Sequence, residues 1–414
     1  MSVMPGKRDR DSLAVKTMVV AGEEVAFSHP YITDAQRAAA GRETVAGRTR
    51  ALLEANRERA AARYAAGWLA DSEEVQRVWR ARDQSELRWR VGAGRLAVWP
   101  EADVLHVLWR GEGDRVLLGG GLSAPMWPVR GAAGLWEASL RVRRLEEAVI
   151  TLFVLALGAS DLPFGQVAID RVTWRGPRAP ADHGTERPLA GRVCEHVVQS
   201  VALRAPRTVS VYVPPADVRA GPLRGCVLAD GESTRAFAQA LEPAIVSGAA
   251  PPVLLVGVHS AGDPANPANP RAQEYVPRQE PRRFEAHLRF VTGEVIPWAT
   301  QAFPVDGGRW VCAGSSNGAA WAIAAARQRP DVFGGVAAFS AGVLPRHVMG
   351  TTPRRVRQYV AAGTLETDTR RSNHEYARRL RRSRVPCDYH EWVGGHDPFW
   401  WQRSLPDALS WLLG

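Results

Sequence analysis

The chain has 414 residues, 45% of them hydrophobic and 23% charged, with a formal net charge of +10. That composition fits a globular protein of two or three domains with ample material for a core. No run of about 18 apolar residues occurs, so no membrane-spanning helix is expected, and no Lys/Arg tract is interleaved with aromatics, which argues against nucleic acid.

The scattered arginines suit an anionic small-molecule substrate better. The N-terminal stretch MSVMPGKRDRDSLAVK has charges but no apolar segment behind them. It does not read as a secretory signal, so a cytoplasmic location is expected. Residues 1–85 are charged and rich in Ala and Arg, and read as a helical or partly disordered extension. Propensity favours helix from Asp34 to about Ala70, with Thr33 or Asp34 as its cap.

Residues 86–178 change character. RLAVWP, DVLHVLWRG, DRVLLGGG, LWEASLRV and AVITLFVLAL are short apolar runs broken by Gly, Pro and Asp. That spacing predicts an antiparallel, immunoglobulin-like β-sandwich. Trp109 and Trp136 read as its core, and Trp127, beside two prolines, as a surface residue in a loop. Residues 179–190 read as a linker. Residues 191–414 alternate strands and helices, which predicts an α/β domain with a mostly parallel sheet. Cys194, Cys226, Cys312 and Cys387 have no metal-ligand spacing and read as buried reduced thiols. No metal and no cofactor is expected. Oligomerisation is left open.

The chemistry centres on VCAGSSNGAAWAIAAARQRP, residues 311–330. It reads as strand, tight turn and helix, with Gly314, Ser316 and Gly318 fitting G-x-S-x-G. Such a turn presents the central serine as a nucleophile, and side chains at the flanking glycines would collide with neighbouring elements. A serine needs a base. His396, after a strand and a Gly-Gly turn, is the best of the ten histidines, with His259 next. The acid belongs between them at a strand end: Glu366 is preferred, with Asp368 as the alternative. The order nucleophile, acid, base is that of the α/β hydrolases. Asn317 follows the nucleophile at a helix N-terminus and supplies one oxyanion donor. The amide of Gly231 or Glu232, in LADGEST, is the candidate for the other.

Residues 191–414 resemble the esterase family that includes enterochelin esterase and esterase D. The resemblance is carried by RTVSVYVPP, VLADGES, RAQEYVPR, GSSNGAAWA, AGTLE and GGHDPFWW. Residues 95–178 are similar to the sandwich domain that precedes the hydrolase in enterochelin esterases. The resemblance implies Ser316 as nucleophile, His396 as base and Glu366 as acid. It also implies cytoplasmic hydrolysis of ferric catecholate siderophores with release of iron. Such substrates are anionic, and Asp230, Arg271 and Trp401 are the expected substrate contacts. The alternatives are a generic carboxylesterase, an acyltransferase, or a non-catalytic binding protein on the same fold. A fragment of residues 185–414 is expected to keep activity on small aryl esters and to lose it on a bulky siderophore.

Overall fold

The computed structural model describes residues 14–20, 23–31, 74–78, 90, 91, 94–158, 170–182, 187–261, 270–342, 344 and 352–414. In the N-terminal extension, β1 (Ala14–Val20) and β2 (Glu23–Tyr31) pair as an antiparallel hairpin. These strands depart from the helical or partly disordered extension expected of residues 1–85. AVKTMVV is rich in β-branched residues, which favour strand. The helix expected from Asp34 to about Ala70 lies outside the described residues.

The next sheet comprises β3 (Val75–Arg77), β4 (Leu96–Glu101), β5 (Val104–Arg110), β6 (Arg115–Gly120), β7 (Ala124–Pro128), β8 (Leu135–Val142), β9 (Val149–Leu157) and β10 (Asp170–Arg175). Its order is β10-β9-β6-β7-β8-β5-β4, with β3 on β8, and every pairing is antiparallel. Leu105, Val107 and Trp109 from β5 share one core with Val116 and Leu118 from β6, Leu140 and Val142 from β8, and Ile150, Leu152 and Val154 from β9. Successive strand residues point to opposite faces, and this core collects one face of each strand. Trp127 lies on β7 and not in a loop, and it is half-buried. The prolines that hid β7 from the sequence reading are its second and last residues, where Pro125 pairs with Leu117 and Pro128 with Trp136.

The C-terminal region contains β11 (Arg192–Ser200), β12 (Ala205–Val213), β13 (Arg224–Ala229), β14 (Val253–Val258), β15 (Trp310–Ser315), β16 (Phe333–Phe339), β17 (Arg357–Gly363) and β18 (Cys387–Trp392). The strand order is β11-β12-β14-β13-β15-β16-β17-β18. The β11/β12 and β12/β14 pairs are antiparallel and the rest are parallel. The helices are α1 (Thr234–Val246), α2 (Pro270–Tyr275), α3 (Pro281–Phe290), α4 (Ile296–Ala302), α5 (Asn317–Gln328), α6 (Thr367–Arg382) and α7 (Pro398–Leu413). Along β13, Val227 and Ala229 enter the core beneath α5, while Cys226 and Leu228 enter the one beneath α1 and α7. The sheet therefore carries helices on both faces, an α/β-hydrolase-like arrangement.

Cys226 and Cys312 are buried free thiols, whereas Cys194 and Cys387 are only half-buried. Among the described residues, no helix is long and apolar enough to cross a membrane.

Candidate active site

β15 ends at Ser315 and α5 begins at Asn317, so Ser316 alone turns the chain. Its backbone sits at φ 55° and ψ −122°, a conformation that an L residue keeps only under constraint. Part of that constraint is visible. The Ser316 N–H donates to the Phe339 carbonyl at 3.0 Å, and its own carbonyl accepts from Ala320 at 3.3 Å and Gly342 at 3.4 Å. Close approach requires the glycine at 314 and leaves little room for a side chain at 318. A Cβ on Gly314 would lie 2.5 Å from the Gly318 backbone, and one on Gly318 would lie 3.0 Å from Ala229 Cβ and Asp230 Oδ2.

The acid and base sit at the ends of neighbouring strands. Glu366 follows β17, and its Oε1 lies 2.5 Å from His396 Nδ1. Its Oε2 accepts from the Gly363 N–H at 2.8 Å and from Ser340 Oγ at 2.6 Å. The Glu366 side chain is 5% exposed and that of His396 38% exposed. A carboxylate there accepts from Nδ1, which leaves Nε2 as the nitrogen able to take a proton. Asp368 is the second residue of α6, and its side chain lies outside the described residues.

Trp401, on α7, closes the arrangement. Its Nε1–H donates to Ser340 Oγ at 2.9 Å, and its ring meets the His396 ring edge-on, with centroids 4.7 Å apart. Trp401 thus touches the base and, through Ser340, the acid. The sequence reading missed Ser340. Its signal was faint: a serine in FSAG, just past the strand beside the elbow. It is fully buried with φ 47°, and its N–H donates to Ala361 at 2.7 Å.

Asn317 is the first residue of α5, where backbone N–H groups lack intrahelical partners. Across from it, Asp230 adopts the left-handed conformation, with φ 61° and ψ 58°, and leads into a 3-10 turn at Gly231–Ser233. Gly231 packs on β14 so closely that a Cβ would lie 2.3 Å from the Gly257 carbonyl. The Glu232 carboxylate accepts from the Ser260 N–H and Oγ, each at 2.8 Å.

Two expected substrate contacts are joined to each other. Arg271 donates to Asp230 through Nε at 2.5 Å and Nη2 at 2.6 Å, and its guanidinium lies over the Tyr275 ring. Burial alone would lower the Arg271 pKa, but the Asp230 hydrogen bonds and charge outweigh it and raise it. The guanidinium therefore stays charged, with that charge compensated by Asp230. The ring of His259, the second candidate base, is engaged elsewhere: its Nε2 is 2.7 Å from Ser210 Oγ. Among the described residues, no group of His, Cys, Asp and Glu could hold a metal ion.

A family model described as "Putative esterase" matches residues 200–412. Iron(III) salmochelin esterase of Escherichia coli is 25% identical over 235 residues, 50% of this chain and 54% of that protein. The match thus spans about half of that relative's length. Uncharacterized protein YjcH of Bacillus subtilis is 26% identical over 170 residues, 37% of this chain and 69% of that one. The crystal structure of enterochelin esterase from Shigella flexneri is similar with a TM-score of 0.58 at 18% identity, over 81% of this chain and 98% of that one. A structure of the enterobactin esterase from Shigella flexneri, determined in the presence of enterobactin, gives 0.56 at 18% identity, over 81% and 99%. At these identities the structural likeness concerns the fold.

Proposed function

The chain belongs to this esterase family; from that premise we propose that it hydrolyses ester bonds by a two-step mechanism through Ser316, His396 and Glu366. Ser316 Oγ attacks the ester carbonyl carbon while His396 Nε2 takes its proton. The oxyanion is met by the N–H of Asn317 and by that of Gly231 or Glu232. The tetrahedral centre collapses, the alcohol leaves with the proton from His396, and the acyl group stays on Ser316. Water, deprotonated by His396, then attacks the acyl-enzyme; the acyl–Oγ bond breaks, His396 returns the proton to Ser316 Oγ, and the acid leaves. Glu366 holds the imidazole and compensates its positive charge. The observation that carries this reading is the 2.5 Å bond between His396 Nδ1 and Glu366 Oε1, taken together with the strained elbow conformation of Ser316.

The substrate class we propose is a catecholate siderophore lactone, with ferric iron as cargo, cleaved in the cytoplasm. Two observations support it: the salmochelin and enterobactin esterases among the similar proteins, and the +10 formal charge, which suits an anionic substrate. The proposed domain division is an N-terminal extension at 1–85, a β-sandwich at 86–178, a linker at 179–190 and the catalytic domain at 191–414. The test is hydrolysis of ferric trilactone siderophores against short-chain aryl esters, with Ser316→Ala as control. The parent is expected to prefer the trilactone, and Ser316→Ala to lose about 10³-fold or more of its activity while remaining folded. Equal efficiency on aryl esters would favour a generic carboxylesterase. Near-parental turnover in Ser316→Ala would remove Ser316 as the nucleophile, and absence of turnover in the parent on every ester would favour a binding protein.

A further inference from the structure

The turn that carries His396 is gripped by the N-terminal sheet. The Val149 N–H of β9 donates to the Val393 carbonyl at 3.3 Å. Two residues along β9, the Thr151 N–H donates to Asp397 Oδ2 at 2.7 Å. From α7, Trp400 Nε1–H donates to the Val149 carbonyl at 3.0 Å. Between these bonds, Gly395 lies so close that a Cβ would sit 1.7 Å from the Gly121 carbonyl oxygen. Val393 and Leu365, neighbours in sequence of the base and the acid, both pack in the core of the N-terminal sheet. The two turns also touch directly, since the Leu365 N–H donates to the Gly394 carbonyl at 3.0 Å.

Asp397 is the centre of this grip. It is 1% exposed, and a buried carboxylate is costly unless its oxygens are hydrogen-bonded. Here Oδ2 takes the N–H of Thr151 and Oδ1 takes the N–H of Phe399 at 3.0 Å. One donor comes from the N-terminal sheet, the other from the first turn of α7. The carboxylate is satisfied only when both are in place, and His396 is the adjacent residue. Near-attack geometry is steep in distance, so a small shift of the imidazole reduces turnover strongly.

We infer that β9 is a backstop for the base, and that Asp397 is the positioning residue that fixes the His396 turn against it. This rests on His396 being the base. The experiment uses the full chain and a short-chain aryl ester. Asp397→Asn turns an NH₂ toward one of the two backbone donors; kcat is expected to fall about tenfold with KM within about twofold of the parent. Trp400→Phe removes the donor to Val149 together with one ring of the indole and keeps an aromatic ring in place; kcat is expected to fall about threefold, again without a change in KM. Circular dichroism identifies the folded variants, and His396→Ala is measured beside them. If His396→Ala retains its turnover, the assignment of the base fails and the inference with it. If His396→Ala is inactive while folded Asp397→Asn and Trp400→Phe turn over at the parental rate, the base stands and the backstop is wrong. If Asp397→Asn does not fold, the kcat of Trp400→Phe decides by the same criterion.

Discussion

The hydroxyl of Ser340 carries one hydrogen, and its neighbours fix where that hydrogen points. Trp401 Nε1–H can only donate, so Ser340 Oγ accepts from it and its own hydrogen goes to Glu366. Glu366 thereby receives three donors, from Ser340, Gly363 and His396. Ser340→Ala leaves the indole N–H and one carboxylate lone pair unmatched. We expect kcat to fall about tenfold with little change in KM, because Ser340 touches the acid and not the substrate; steady-state kinetics on an aryl ester would expose an error here as an unchanged kcat. His287 offers a separate test, through stability. It is 1% exposed, lies among the rings of Tyr275, Phe290 and Trp321, and neither ring nitrogen has a hydrogen-bond partner among the described residues. Burial first, with help from the Arg207 charge and against that of Glu274, lowers its pKa from 6.5 to about 4. The folded pKa lies below the unfolded one, so the unfolded chain binds the proton first. Stability from the neutral imidazole is complete above about pH 6.5, declines as pH falls toward about 4, and levels off below. The loss amounts to about 3 kcal/mol. His287→Phe should remove that part of the decline. Urea unfolding at pH 7 and pH 4.5 checks this: an equal drop in parent and variant would rule it out.

At the scale of elements, the segment leading into β11 is anchored and not loose. Glu242 on α1, 7% exposed, accepts from the N–H groups of Ala190 and Gly191 at 2.7 Å each and from the Tyr212 hydroxyl at 3.0 Å. One turn back, Gln239 Nε2 donates to the Arg187 carbonyl at 2.9 Å. Gly191 is needed there, since a Cβ would lie 2.6 Å from the Val213 carbonyl and 2.7 Å from Glu242 Oε2. Removing the carboxylate strands three donors, two of them backbone groups. Glu242→Ala should therefore cost about 3 kcal/mol of stability, with ester turnover at room temperature nearly unchanged. A shift in the urea midpoint worth less than about 0.5 kcal/mol would show that the segment is held by other contacts.

At the scale of the molecule, the contacts of β9 with the His396 turn change what truncation should do. The sequence alone suggests that a fragment of residues 185–414 keeps its activity on small esters. In the structure that fragment loses the N–H of Thr151 and both backbone groups of Val149 as partners of Asp397, Val393 and Trp400. It also exposes Val393 and Leu365, which are 5% and 8% exposed in the whole chain. We therefore expect the fragment to lose most activity on small aryl esters and bulky siderophores alike. Retained aryl-ester turnover with selective loss of siderophore cleavage would return the N-terminal sheet to a role in substrate binding alone.

The elements around the active site were legible because their signals are local. A Gly-x-Ser-x-Gly between an apolar run and an Ala-rich run encodes strand, elbow and helix within a few residues. The AGTLE and GGHD segments likewise mark strand ends at which side chains project from the sheet edge. Prolines misled the reading elsewhere. Pro281 opens α3, where the missing N–H costs nothing, and Pro297 is the second residue of α4, which follows directly on a π turn at Val291–Val295; with both prolines read as breaks, the helices between β14 and β15 went unassigned. The pairings are a different matter. Asp230 meets Arg271 41 positions away, Trp401 meets Ser340 61 positions away, and Asp397 meets Thr151 246 positions away. No hydrophobic period or turn motif records such partners, because each is fixed by strand order and by the packing of one sheet against another. Sequence alone determined which residue types stand at the sheet's edge and in what order; the tertiary structure decided which of them touch.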